Sequence, residues 1–185
     1  IGFAKWIADD NAVRNQALEQ LKREMELLAK IGCSRIAAPP AGAINGEKID
    51  LNVVVERYQA ILELGAQVGV VPQLELWGFS TILSKLGEVA YVLMETNHPD
   101  AALVLDAYHL YKGGNNFDAL KYLDKNAINV FHMNDYPKIP PREKINDAER
   151  VMPGDGMAPL SQILQNIYSP EKQIVLSLEL FNRDL

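Results

Sequence analysis

Four apolar, strand-like runs of this 185-residue chain each carry one side chain able to bind a metal ion. Glu75 sits in Val70-Val71-Pro72-Gln73-Leu74-Glu75-Leu76, Asp106 in Ala102-Leu103-Val104-Leu105-Asp106, His132 in Ile128-Asn129-Val130-Phe131-His132, and Glu179 in Ile174-Val175-Leu176-Ser177-Leu178-Glu179-Leu180. Carboxylates are almost never buried without a partner, so several of them at the ends of buried strands call for a shared cation. Strand side chains alternate faces: Leu74 and Leu76 point one way and Glu75 the other, with the same parity in Phe131/His132/Met133 and Leu178/Glu179/Leu180. Such strands pack one face under helices and aim the other at a common interior. Two Glu, one Asp and one His make a mixed oxygen and nitrogen set suited to one hard or borderline divalent ion: Mn, Co, Mg or Zn.

The elements that must position these residues alternate along the chain. Leu18, Leu21, Met25 and Leu28 recur at helical spacing before Gly32, and Ser34 to Ala38 reads as a short strand. A second helix is expected from an N-cap near Asp50 to Gly69, leading into the Glu75 strand. Ser80 is expected to cap a third, with Ile82, Leu83, Leu86, Val89, Ala90 and Leu93 on its apolar face. Shorter helices around Phe117 to Leu123 and Leu160 to Ile167 precede the His132 and Glu179 strands.

Strict alternation implies parallel strands joined by right-handed crossovers, in a doubly wound sheet or a (β/α)8 barrel. Ligands on four successive strands favour the barrel, because an open sheet collects its site at one switch point whereas a barrel gathers every strand end around one mouth. A closed barrel has eight strands and typically about 250 residues. The chain therefore reads as a single domain, residues 1–185, supplying about strands 3 to 7 of an α/β (β/α)8 TIM barrel. Its outermost strands are expected to border missing segments and to expose apolar edge. The long irregular stretch Asn134 to Ala158 comes directly after a ligand strand, which favours an active-site flap.

Composition narrows the function. Hydrophobic content of 48% and charged content of 23% are ordinary for a soluble globular protein. No apolar run reaches bilayer-spanning length and the first residues lack the order of a signal peptide, so no membrane association and a cytoplasmic location are expected. A net charge of -6 gives no general attraction to a phosphate backbone, so nucleic acid is not expected as a partner. Cys33 stands alone and reads as small core filler. His98 lies in a turn on the side away from the ligands, and Gly113-Gly114-Asn115 matches no P-loop pattern.

At these residues the chain resembles the xylose isomerase-like sugar isomerase/epimerase family. The matching segments are Leu74-Glu75-Leu76, Leu105-Asp106-Ala107-Tyr108-His109, Phe131-His132-Met133-Asn134-Asp135, Arg150-Val151-Met152-Pro153-Gly154-Asp155-Gly156 and Ser177-Leu178-Glu179-Leu180-Phe181, in the family's order and at βα spacing. The closing run looks most like the inosose isomerase branch. The resemblance implies that Glu75, Asp106, His132 and Glu179 hold one divalent cation inside the barrel. It also implies that Glu75 and Glu179 exchange protons with the substrate, and that His109 and Arg150 bind it without touching the metal. Trp77, two residues after Glu75, is the tryptophan placed to stack on a sugar face.

The activity that this resemblance implies is that of a metal-dependent isomerase or epimerase acting next to a carbonyl of a small sugar or cyclitol, with homo-oligomerisation left open. Three other readings compete. An inosose dehydratase would eliminate water on the same site. An endonuclease IV-type nuclease shares the fold, but its second Asp and His ligands ahead of the glycine turn are replaced here by Ala148-Glu149-Arg150. A truncated barrel would keep the ligands and lack activity.

Overall fold

The computed structural model describes residues 2–185. Helix α1 (Asn11–Lys30) begins where the Asp10 carboxylate accepts the Val13 N–H, and it buries Ala17, Leu21 and Met25 at spacing of four. Strand β1 (Arg35–Ala38) comes after a turn through Gly32, whose positive φ of 77° suits a residue without Cβ. Helix α2 (Leu51–Val68) starts under the Asp50 carboxylate and stops at left-handed Gly69, as its sequence signals imply. It feeds strand β2 (Val71–Glu75).

Helix α3 (Leu86–Thr96) begins five residues later than the Ser80 cap would place it. The Glu88 carboxylate accepts the N–H groups of Ser84 and Lys85 and fixes the start there. Ser80 instead spends its hydroxyl on the carbonyl of Ala43, at 2.8 Å, and so ties the turn after β2 to the loop after β1. Ile82 and Leu83 are buried as expected, but from that turn and not from a helix face.

Strand β3 (Leu103–Asp106) is buried throughout and passes without a linker into the short helix α4 (Ala107–Lys112). A 3-10 helix at Phe117–Tyr122 stands where a helix to Leu123 is expected. Strand β4 (Ile128–Met133), helix α5 (Leu160–Ile167) and strand β5 (Val175–Leu178) complete the order.

All five strands are parallel and ordered β1-β2-β3-β4-β5 in one sheet that curves into half of a barrel. Register places Asp106 beside His132 and His132 beside Ser177. One apolar cluster runs between sheet and helices and includes Trp6, Tyr58, Leu74, Leu105, Phe131 and Ile163. The buried Tyr58 hydroxyl, on α2, lies 3.0 Å from the carbonyl of Pro72 and 3.1 Å from that of Ala102, and accepts the Ala102 N–H. It fastens the starts of β2 and β3 under the helix.

The two sheet edges differ. Beside β1, the Gly2 N–H donates to the Ala37 carbonyl and the Trp6 indole donates to the Pro39 carbonyl. On β5, Val175, Leu176 and Leu178 are exposed. Cys33 is half-buried between α1 and β1, with less cover than a core position. Among the described residues no helix is long and apolar enough to cross a membrane.

Two glycines test how closely the site's scaffold is packed. A Cβ at Gly78 would stand 2.2 Å from the His109 carbonyl oxygen and 2.5 Å from the Gly113 nitrogen, both backbone atoms of the α4 turn. Gly78→Ala should therefore cost about 1–3 kcal/mol by overpacking. Gly87, in the first turn of α3 with open space around it, should tolerate alanine and gain about 0.4–1 kcal/mol. Urea unfolding of the two variants should move the midpoint in opposite directions.

Candidate metal centre and its pocket

The ends of β2, β3, β4 and β5 bring Glu75, Asp106, His132 and Glu179 to one place. The Nδ1 of His132 lies 3.2 Å from Glu179 Oε2 and 3.8 Å from both Glu75 Oε1 and Asp106 Oδ2. One donor atom from each of Glu75, His132 and Glu179 falls within 4.8 Å of the others. Both Glu75 oxygens and His132 Nδ1 are buried with no hydrogen-bond partner. Buried acceptors without partners are costly, and two carboxylates facing an imidazole nitrogen fit a divalent cation with oxygen and nitrogen preference. The residues present therefore suit the implied metal.

Asp106 stands at the rim of this set. Its Oδ1 accepts the His109 N–H at 2.7 Å, capping α4, and its Oδ2 accepts the Asn134 amide at 2.7 Å and Arg150 Nη1 at 3.2 Å. Its oxygens are shared between backbone, amide and guanidinium, whereas those of Glu75 are not.

His109 turns into the site because β3 ends at Asp106. Strand parity would have pointed it away, but the first turn of α4 swings it back. Its Nε2 lies 3.1 Å from Arg150 Nη2. A guanidinium only donates, so Nε2 accepts and the ring proton sits on Nδ1, which is buried and has no partner. Burial, helped by the Arg150 charge, lowers the His109 pKa to about 3 and keeps the ring neutral.

Arg150 is 1% exposed and is the positive charge of the site. Its Nη1 donates to Glu179 Oε2 at 2.8 Å as well as to Asp106, and its Nη2 pairs with Asp147. The guanidinium lies over the rings of Tyr108 and Phe181, at 4.5 Å and 5.1 Å.

These environments drive the two glutamates apart. Burial raises Glu75 to about 8, with the Glu179 and Asp106 charges adding to the rise and His132 opposing it. Burial would raise Glu179 too, but His132 and Arg150 beside it win and hold it at about 2. His132 is pushed down by burial, yet the facing carboxylates, Glu179 foremost, leave it raised.

A cavity of about 440 Å³ opens over this group, walled by Phe3, Trp77, Phe79 and Phe181 and floored by Glu75, His109, Asp147, Arg150 and Glu179. The structure thus gathers every site residue expected from the sequence, with Asp106 behind the compact three-residue donor set and Trp77 on the wall. His98 is remote from it, its Nδ1 accepting the Asp100 N–H in a turn. Asn134, Asp147, Phe79, Phe181 and Phe3 carry no expected role. For Asn134, Phe79 and Phe181 a signal existed: each stands two residues after His132, Trp77 or Glu179 and so continues the same side of the chain. Asp147 and Phe3 come from irregular segments with no such parity.

Residues 2–184 match the xylose isomerase-like TIM barrel family, and the chain belongs to it. Among curated proteins it is 27% identical to the inosose isomerase of Bacillus subtilis strain 168 over 177 residues, covering 93% of this chain and 63% of that protein. The inosose isomerase of Halalkalibacterium halodurans is 26% identical over 177 residues, with 93% and 62% covered. The chain thus spans less than two thirds of the length of these relatives. Among solved structures it is similar to an IolI protein with a bound zinc atom, at a TM-score of 0.86 and 24% identity, covering 98% of this chain and 66% of that one. It is also similar to an L-ribulose 3-epimerase, at a TM-score of 0.78 and 18% identity, covering 100% and 60%.

The pKa pattern gives a signed prediction. A carboxyl raised from its ordinary value to about 8 binds more protons folded than unfolded between those limits, so its contribution to stability falls as pH rises through that window. The raised His132 acts in the same direction. Chelator-treated protein should therefore melt several degrees lower at pH 8 than at pH 6, and Glu75→Gln should flatten the difference. Added Mn or Zn should restore the pH 8 melting temperature and bind more tightly as pH rises, because binding displaces the Glu75 proton.

Proposed function

We propose that the chain carries the catalytic centre of a divalent-metal-dependent isomerase or epimerase that moves a proton next to a carbonyl of a small ketose or keto-cyclitol, with an inosose as the first substrate to test. The observation that carries this reading is the meeting of Glu75, His132 and Glu179 beside the Arg150–His109 pair under an aromatic-walled cavity. The inosose isomerase relatives and the sugar epimerase likeness support the substrate class.

Glu75, His132 and Glu179 would hold the cation, with Asp106 as the fourth ligand. When bound, a divalent ion polarises a carbonyl and offsets the negative charge that develops as a neighbouring C–H loses its proton. The protein supplies the rest. Glu179, ionised by its contacts with His132 and Arg150, is the group ready to take a proton. Glu75 would give up its own proton as the cation binds, so the proton it returns is one taken from the substrate. The His109 Nδ1–H has no protein partner and would donate to a substrate oxygen, and Arg150 places fixed positive charge beside the ring. Phe181 and Trp77 offer flat apolar walls to the C–H face of a ring. No step requires a covalent nucleophile.

Turnover of inosose in deuterated water, with Mn, Co or Mg present, should place deuterium on the carbon next to the carbonyl. Glu179→Gln should lower kcat by at least a hundredfold. Arg150→Ala should weaken turnover roughly tenfold to a hundredfold while leaving metal content unchanged. Net loss of water would shift the assignment to a dehydratase. Cleavage of a phosphodiester with no α-proton exchange would replace it with a nuclease, against the net charge of -6.

A further inference from the structure

The buried carboxylate of Asp135 and the segment Pro153-Gly154-Asp155-Gly156 take no part in the proton transfer, yet they are built around each other. Asp135 is 1% exposed and opens the long loop after β4. Its Oδ2 accepts the N–H groups of Gly154 at 3.1 Å and Gly156 at 3.2 Å, and its Oδ1 accepts those of Ala158 at 2.7 Å and Tyr136 at 2.8 Å. Its own backbone N–H and carbonyl exchange two 3.0 Å bonds with Val151, the only bridge that the loop makes to a ligand strand's continuation among the described residues.

Gly156 is explained by this carboxylate and Gly154 by its backbone conformation. Gly154 has a φ of 98°, and a Cβ at Gly156 would stand 2.3 Å from Asp135 Oδ1 and 2.5 Å from the Tyr136 carbonyl. The loop backbone wraps an anion that the chain itself provides, and hydrogen bonds to a charged acceptor are stronger than those to a neutral one. The residue next to the pinned Val151 is Arg150.

We propose that Asp135 is a positioning residue: by anchoring residues 151–158 it sets the Arg150 guanidinium against His109, Asp106 and Glu179. The effect on turnover rests on the isomerase reading given above; the positioning does not. Arg150 in turn fixes the His109 proton on Nδ1, so the ring reports where the guanidinium is. Asparagine at position 135 keeps the shape but removes the charge and turns an N–H group against amides that need acceptors.

The test is 15N NMR of the histidine side chains in chelator-treated protein, joined to amide hydrogen exchange. Wild-type His109 should show one tautomer, with Nδ1 protonated. In Asp135→Asn the amides of Gly154, Gly156 and Ala158 should exchange at least tenfold faster, and the His109 signals should move toward mixed tautomers as they do in Arg150→Ala. A folded Asp135→Asn protein with wild-type His109 signals, even one of lower melting temperature, overturns the proposal. Should that variant not fold, Gly156→Ala crowds the same carboxylate from the loop side and should change the tautomer alike; unchanged signals there overturn it as well. In the kinetic arm, Asp135→Asn should lower kcat tenfold or more and cause no further loss in an Arg150→Ala background, while losses that multiply independently count against it. If wild-type protein turns over no ketose, the isomerase reading fails and the NMR arm still decides the positioning.

Discussion

Three carboxyl groups gathered around one imidazole in a buried site repel one another, and the rest of the structure answers that repulsion. Charge that leaves water must be paired or neutralised. Here each carboxyl meets a different remedy. Glu179 is held ionised by His132 and Arg150, Asp106 is hydrogen-bonded by Arg150, Asn134 and the start of α4, and Glu75 is left to hold its proton or meet a cation. Arg150 serves two of the three at once, which explains why so large a charged side chain is buried almost completely. Its own cost is offset by two aromatic faces and by Asp147.

That arrangement shows which parts of the site are legible in the chain. Glu75, His132 and Glu179 are readable because period-two alternation in an apolar strand marks a polar residue as inward-facing, and the register of a parallel sheet then brings successive strand ends together. The helix from Asp50 to Gly69 is equally plain, since cap chemistry bounds it at both ends. The start of α3 is not, because Ser80 has the chemistry of an N-cap while the actual N-cap, Lys85, does not, and the tertiary contact of Ser80 with Ala43 takes its hydroxyl elsewhere. Parity alone misplaces His109, as nothing in Leu105-Asp106-Ala107 announces that the strand becomes a helix without a turn. Asp147 and Asp135 lie in a loop whose shape depends on contacts distant in sequence, and such contacts leave no periodic trace.

The sheet carries an asymmetry of its own. The β1 side is closed by residues before α1, through Gly2 and Trp6, whereas β5 presents Val175, Leu176 and Leu178 to solvent. Leu176 and Leu178 have the opposite parity to Glu179, so they lie on the face of β5 away from the site. The bond from Glu179 to Arg150 ties the end of β5 to the loop from β4. The expected partial barrel is seen in the five parallel strands of this one curved sheet.

The fixed tautomer of His109 has a consequence for recognition. With Nε2 committed to a guanidinium that only donates, the ring is left with a hydrogen and no lone pair to offer. On the isomerase reading proposed above, a ketone or hydroxyl oxygen would suit that N–H, while the protonated nitrogen of an amino sugar in the same place would face a donor with nothing to receive its own hydrogens. Because the ring stays neutral down to about pH 3, acidification across the physiological range leaves that polarity intact. On that reading, selectivity between oxygen and ammonium would be set one residue away from the contact itself, in the arginine that decides which nitrogen of the imidazole carries the proton.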